Sequence, residues 1–123
     1  PRNLPALSRA FFLTAKAAEV GFDWQREGDV LKKIREELEE FEAALAARQQ
    51  QKMTDEIGDL LLSIVNLGRH LDIEPEQALR RTNEKFMKRF AHIETELQKK
   101  GITLKQATLA EMDRLWDEAK KQD

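Results

Sequence analysis

The stretch Met53-Thr54-Asp55-Glu56-Ile57-Gly58-Asp59-Leu60-Leu61-Leu62-Ser63-Ile64-Val65-Asn66-Leu67-Gly68-Arg69-His70-Leu71 decides the fold. Its apolar residues recur at three- and four-residue spacing with no sustained alternation, which predicts an α-helix. Ile57, Leu60, Leu61, Leu62, Ile64, Val65, Leu67 and Leu71 cover far more than a narrow stripe. A helix this apolar is buried on more than one side. One chain of 123 residues does not easily enclose it, so a helix-mediated homo-oligomer is expected. The apolar face is centred near Leu60 and Ile64, and Lys52, Glu56, Asp59, Ser63 and Asn66 form a polar stripe along its flank. Gly58 and Gly68 each cost about 1 kcal/mol inside a helix, which predicts close helix–helix approach there.

Working upstream, Gln49-Gln50-Gln51 reads as the separator from a second helix over residues 30–48, with Asp29 as its N-cap. Before that, residues 21–28 read as a loop, and Gly21 ends a first helix over residues 7–20. Downstream, Pro75 is placed near the first position of a fourth helix over residues 76–100, which stops at Gly101. Thr108 and Glu111 fit a capping box that opens a short last helix ending near Lys121. The expected architecture is all-α: a four-helix-bundle-like chain with a short fifth helix, forming one domain over residues 1–123, with connections short enough for antiparallel neighbours.

Composition narrows the function classes. The chain has no cysteine and two histidines, His70 and His92, which removes thiolate sites, a cysteine nucleophile and a multi-histidine metal site. Charged residues make up 36%, yet the net charge is −2, so nucleic acid is not an expected partner. The longest nearly apolar run, residues 60–67, is far too short to span a membrane, and no signal peptide is visible. A cytoplasmic protein with no membrane partner is expected. The sequence begins with Pro1 rather than Met, as a processed product or a piece of something longer would.

Acidic pairs three residues apart are no commoner than chance in so acidic a chain, so their placement carries the argument. On the second helix, Ile34, Leu38, Phe41 and Leu45 define an apolar stripe; Glu37 and Glu40 fall on its flank, while Glu36 and Glu39 point outward. If this flank meets the polar flank of the third helix, Glu37, Glu40, Glu56 and Asp59 converge. Convergent carboxylates beside a core repel one another and resist desolvation. A hard divalent cation such as Mg²⁺ resolves this and keeps sites open for phosphate oxygens. The alternative is a solvated acidic face, where like-charge repulsion costs only a few tenths of a kcal/mol.

The fourth helix has a core stripe of Leu79, Phe86, Phe90, Ile93 and Leu97, with Lys85 and Arg89 one turn apart along its edge. That cationic pair could hold phosphates, or simply cover apolar surface. Asn83 falls near the stripe and needs a hydrogen-bond partner, structural or ligand. Trp24 and Trp116 could stack on a base or fill a core. His70 sits near a helix C-terminus, where a cation suits the dipole.

In order along the chain stand Val20-Gly21-Phe22-Asp23-Trp24, Glu36-Glu37-x-x-Glu40, Glu56-Ile57-Gly58-Asp59-Leu60-Leu61 and Asn83-Glu84-Lys85-Phe86-x-x-Arg89-Phe90. This order resembles the MazG family of nucleoside triphosphate pyrophosphohydrolases, over nearly the whole chain. Pro5-Ala6-Leu7 and the Gly-Phe-Asp-Trp loop are more similar to the C-terminal catalytic domain of two-domain MazG. The resemblance implies an all-α, Mg²⁺-dependent homodimer or dimer of dimers that hydrolyses nucleoside triphosphates to monophosphate and pyrophosphate. It implies Glu37, Glu40, Glu56 and Asp59 as catalytic metal ligands. Lys52, Lys85 and Arg89 would contact phosphates, Trp116 would lie near the nucleotide, and Asn83 is a further substrate-binding candidate. Phe11-Phe12-Leu13-Thr14 departs from the more polar residues expected there. Two alternatives accompany this reading: a narrow-specificity pyrophosphatase for dUTP, dCTP or a modified nucleotide, and a non-catalytic helical interaction module.

Overall fold

A computed structural model describes residues 3–123; Pro1 lies outside them. Five helices follow one another: α1 (Ala6–Glu19), α2 (Glu27–Ala46), α3 (Gln50–His70), α4 (Pro75–Lys99) and α5 (Leu109–Lys120). No strand occurs among the described residues. The chain forms two compact units, Pro1–Ala78 and Leu79–Asp123.

In the first unit α2 and α3 form the main helix pair, and α1 packs on α3. The turn between α2 and α3 is three residues long, residues 47–49, and makes them antiparallel neighbours. Arg48 turns the chain there with φ 52°. Two boundary expectations are corrected. Gln50 and Gln51 belong to α3, because glutamine is a good helix former and nothing stops the helix before Gln49. Asp29 lies inside the first turn of α2 rather than at its cap; the capping position is Arg26, and Glu27 and Asp29 supply the negative charge that suits a helix start.

The larger correction concerns which face is buried. The fully buried residues of α2 are Val30, Glu37 and Ala44, each seven apart, and those of α3 are Glu56, Ser63, Val65 and Asn66. Most of the stripe read as a polar flank of α3 is therefore its covered face. Leu38, Ile57, Leu61, Leu62 and Ile64 remain 44–48% exposed. Gly68 makes a close approach, but to a turn and not to another helix as expected: a Cβ there would lie 2.8 Å from the Ile73 carbonyl oxygen, in the turn closing α3. Gly58 faces open space, against expectation.

Pro75 opens α4 as predicted. The carboxylate of Glu74, before it, caps the helix by accepting from the backbone N–H of Glu76 at 3.1 Å and of Gln77 at 2.9 Å.

The second unit holds α4 from Leu79 onward and α5. Its core is Ile93, Leu97 and Leu115, with Phe90, Ile102, Ala107, Met112 and Trp116 packed around them. Leu79 and Phe86 were expected in this core but are exposed. Gly101, at φ 70°, ends α4 in the left-handed region where a side chain would be strained. Thr108 caps α5, its hydroxyl accepting from the Glu111 N–H at 3.1 Å. The Glu111 carboxylate accepts from Lys100 at 3.1 Å. No helix among the described residues is long and apolar enough to cross a membrane.

Candidate functional site

Glu37 stands at the middle of the buried row of α2, and Glu56 is the first buried residue of α3. Because the two helices run side by side, these carboxylates meet across the interface. Oxygens of Glu37, Glu56 and Asp59 lie within 4.8 Å of one another, the first two residues buried and Asp59 exposed. Glu40, one turn beyond Glu37 and exposed, also acts on Glu56. One oxygen each of Glu37 and Glu56 is shut off from solvent without a hydrogen-bond partner among the described residues. Such an orphaned acceptor costs about 1–3 kcal/mol, more when charged.

Burial pushes the Glu56 carboxyl up to about 7, and the neighbouring Glu37 and Glu40 carboxylates raise it further. Lys33 gives partial relief: its ammonium lies 2.9 Å from the other side of Glu37. The Glu37 carboxylate in turn holds the Lys33 pKa above its ordinary value. Sequence reasoning passed over Lys33; its place one turn before Glu37 was the available signal. Three oxygen donors, two orphaned oxygens and an unneutralised acid are the donor set a hard divalent cation takes. These residues fit a divalent cation.

A second polar cluster was not foreseen. Asp23, from the loop before α2, receives Arg69 on both oxygens, at 2.9 and 2.6 Å, and stands 3.0 Å from His70 Nε2. The Arg69 hydrogen bonds, opposed by burial and aided by His70, bring the Asp23 carboxyl down to about 2. This clamp ties the Gly21–Trp24 stretch to the C-terminal end of α3 and gives His70 a structural partner.

The remaining candidates divide by unit. Lys52 is exposed on the first turn of α3. In the second unit Lys85 and Arg89 are half-buried on α4. The Arg89 guanidinium lies 5.3 Å from the centre of the Trp116 ring, which also meets Phe86 at 5.3 Å. Trp116 is thus partly a core residue and partly an aromatic surface under a cation. Asn83 is exposed, so the expected need for a partner does not arise.

Residues 25–94 match the model of the MazG nucleotide pyrophosphohydrolase domain. The chain belongs to the MazG family. It is 42% identical over 125 residues to a nucleoside triphosphate pyrophosphohydrolase of Escherichia coli K12, covering 100% of this chain and 48% of that protein. It is 41% identical over 120 residues to the nucleoside triphosphate pyrophosphohydrolase/pyrophosphatase MazG of Thermotoga maritima, covering 98% of this chain and 46% of that protein. The chain spans about half the length of these curated relatives. The MazG match contains the four acids, Lys33, Lys52, Asn83, Lys85 and Arg89; Asp23 and Trp116 fall outside it.

Proposed function

We propose that this MazG domain, taken as a single functional domain over residues 1–123, is a Mg²⁺-dependent nucleoside triphosphate pyrophosphohydrolase. It cleaves the α–β phosphoanhydride of ribo- or deoxyribonucleoside triphosphates, releasing monophosphate and pyrophosphate. The observation that carries this reading is the pair of orphaned carboxylate oxygens on Glu37 and Glu56, beside Asp59. The names of the Escherichia coli and Thermotoga maritima relatives support the reaction class.

Glu37, Glu40, Glu56 and Asp59 are the residues that would hold Mg²⁺. When bound, the ion supplies charge neutralisation at the phosphates and Lewis-acid polarisation. A carboxylate of the cluster takes the proton of the attacking water. Lys52, Lys85 and Arg89 bind phosphate oxygens, Arg89 through paired donors and the lysines as point charges. Asn83 and Trp116 contact the nucleotide. The half-exposed leucine and isoleucine face of α2 and α3 is assigned to a homodimer or dimer of dimers.

The test is pyrophosphate release across a panel of NTPs and dNTPs, with and without Mg²⁺. Glu40→Gln and Asp59→Asn should each abolish release while helical content stays intact. Retained turnover in both variants would remove the site assignment. Turnover confined to one deoxynucleotide would mark a narrow-specificity enzyme. Absence of turnover with nucleotide binding indifferent to Mg²⁺ would leave an interaction module.

A further inference from the structure

Arg89 is held more firmly than a surface arginine on an open helix face. Its Nε donates to Asp123 Oδ2 at 2.9 Å, and its Nη2 donates to the same oxygen. Its guanidinium carbon sits over the Trp116 ring, and its side chain is 16% exposed. Arg89, Trp116 and Asp123 all belong to the second unit.

A guanidinium carries five N–H donors in a rigid plane. Asp123 takes one from Nε and one from Nη2, both on the inner edge. The two donors on Nη1 and the second donor on Nη2 make up the outer end. No acceptor bonds Nη1 among the described residues. With the inner edge taken by Asp123, the outer end is the edge left free to grip a phosphate through two parallel hydrogen bonds. An unrestrained arginine surrenders considerable rotamer freedom when it binds, and a side chain already fixed surrenders less.

We propose that Asp123 is a positioning residue for Arg89, fixing its inner edge against Trp116 so that its outer donors are presented to a substrate phosphate. This rests on the pyrophosphohydrolase reading, which places Arg89 on the phosphates. The carboxyl of Asp123, held below the usual range by the Arg89 hydrogen bonds and charge, with Lys88 and Lys85 adding to the effect, stays ionised at neutral pH.

The experiment is steady-state pyrophosphate release by the full chain, with Mg²⁺ and the nucleotide turned over fastest in the panel. Asp123→Ala should raise KM about tenfold, the loss of a charge-assisted hydrogen bond, with kcat within about twofold of the parent. Asp123→Glu should restore most of the loss. In an Arg89→Lys background, which has no inner edge to hold, Asp123→Ala should add less than about a twofold change. An unchanged KM for Asp123→Ala, or an equal rise in the Arg89→Lys background, would overturn the proposal. A lowered KM would overturn it too, by showing that Asp123 competes with phosphate. Failure of the wild-type chain to release pyrophosphate from any nucleotide would instead overturn the functional reading, and this inference with it.

Discussion

Glu56 and Asp23 are carboxylates of the same unit, and their surroundings drive them in opposite directions. Asp23 meets Arg69 on both oxygens and His70 beside it, and its carboxyl falls to about 2. Glu56 meets two further acids in a covered helix interface, and its carboxyl rises to about 7. The first cluster is balanced in charge: Asp23 meets its cation, only the Arg69 Nε lacks a partner among the described residues, and it serves to fasten a loop to α3. The second is unfinished, with acceptors turned inward that nothing among the described residues satisfies. The difference separates a cluster whose acid is balanced by a cation of its own chain from one whose acids face each other.

Four measurements would break or sharpen that contrast. The largest effect is expected from Glu37→Gln, which removes the central acid of the unfinished cluster. Mg²⁺-dependent pyrophosphate release should drop by at least about a hundredfold, with the circular dichroism of the parent. Next, Asp23→Asn should cost about 1.5–3 kcal/mol of stability, the range for hydrogen bonds to charged groups, read from denaturant unfolding at pH 7. Its effect should shrink toward acid. The folded-state pKa of about 2 lies below the ordinary 3.8, so the Asp23 contribution is full above the latter and is lost as pH falls through the former.

Glu56 should show the reverse slope. Its folded pKa of about 7 exceeds the ordinary 4.5, so the folded state binds the proton more tightly. Its contribution is full below pH 4.5 and is lost as pH rises through 7. In chelator, the melting temperature should decline across this window; saturating Mg²⁺ or Glu56→Gln should flatten the decline. A slope unchanged by Glu56→Gln would show that some other group titrates. The smallest effect is expected from Asp29→Asn, because Asp29 belongs to neither cluster. It makes a 4.0 Å contact with Arg26 at the surface and lies in the first turn of α2, and the two together contribute about 1 kcal/mol or less in a chemical melt.

Local chemistry made the helices legible. Pro75, Gly101 and the Thr108–Glu111 pair each mark a boundary through a backbone rule that needs no tertiary information, and the structure keeps all three. The second unit follows its apolar pattern in Ile93, Leu97 and Leu115. The first unit departs from its pattern because a helical wheel weighs hydrophobicity alone. It centres α3 on Leu60 and Ile64, whereas the face covered by its neighbours contains Glu56, Ser63 and Asn66. The acids were legible as a set through their order along the chain, but their burial was not. The Asp23 clamp joins residues 46 and 47 apart in sequence. No local period encodes such a contact, although the Gly-Phe-Asp-Trp motif marked one end of it.

The turn at residues 47–49 has a consequence for how this domain tolerates change. It is the spacer that sets the phase of one acid-bearing helix against the other, and Arg48 holds it in a left-handed kink that L-residues enter reluctantly. One residue added at the start of α3 would swing the carboxylates by about 100° and advance them by about 1.5 Å. An insertion in this hairpin would therefore scatter the acids while leaving each of them, and both helices, intact.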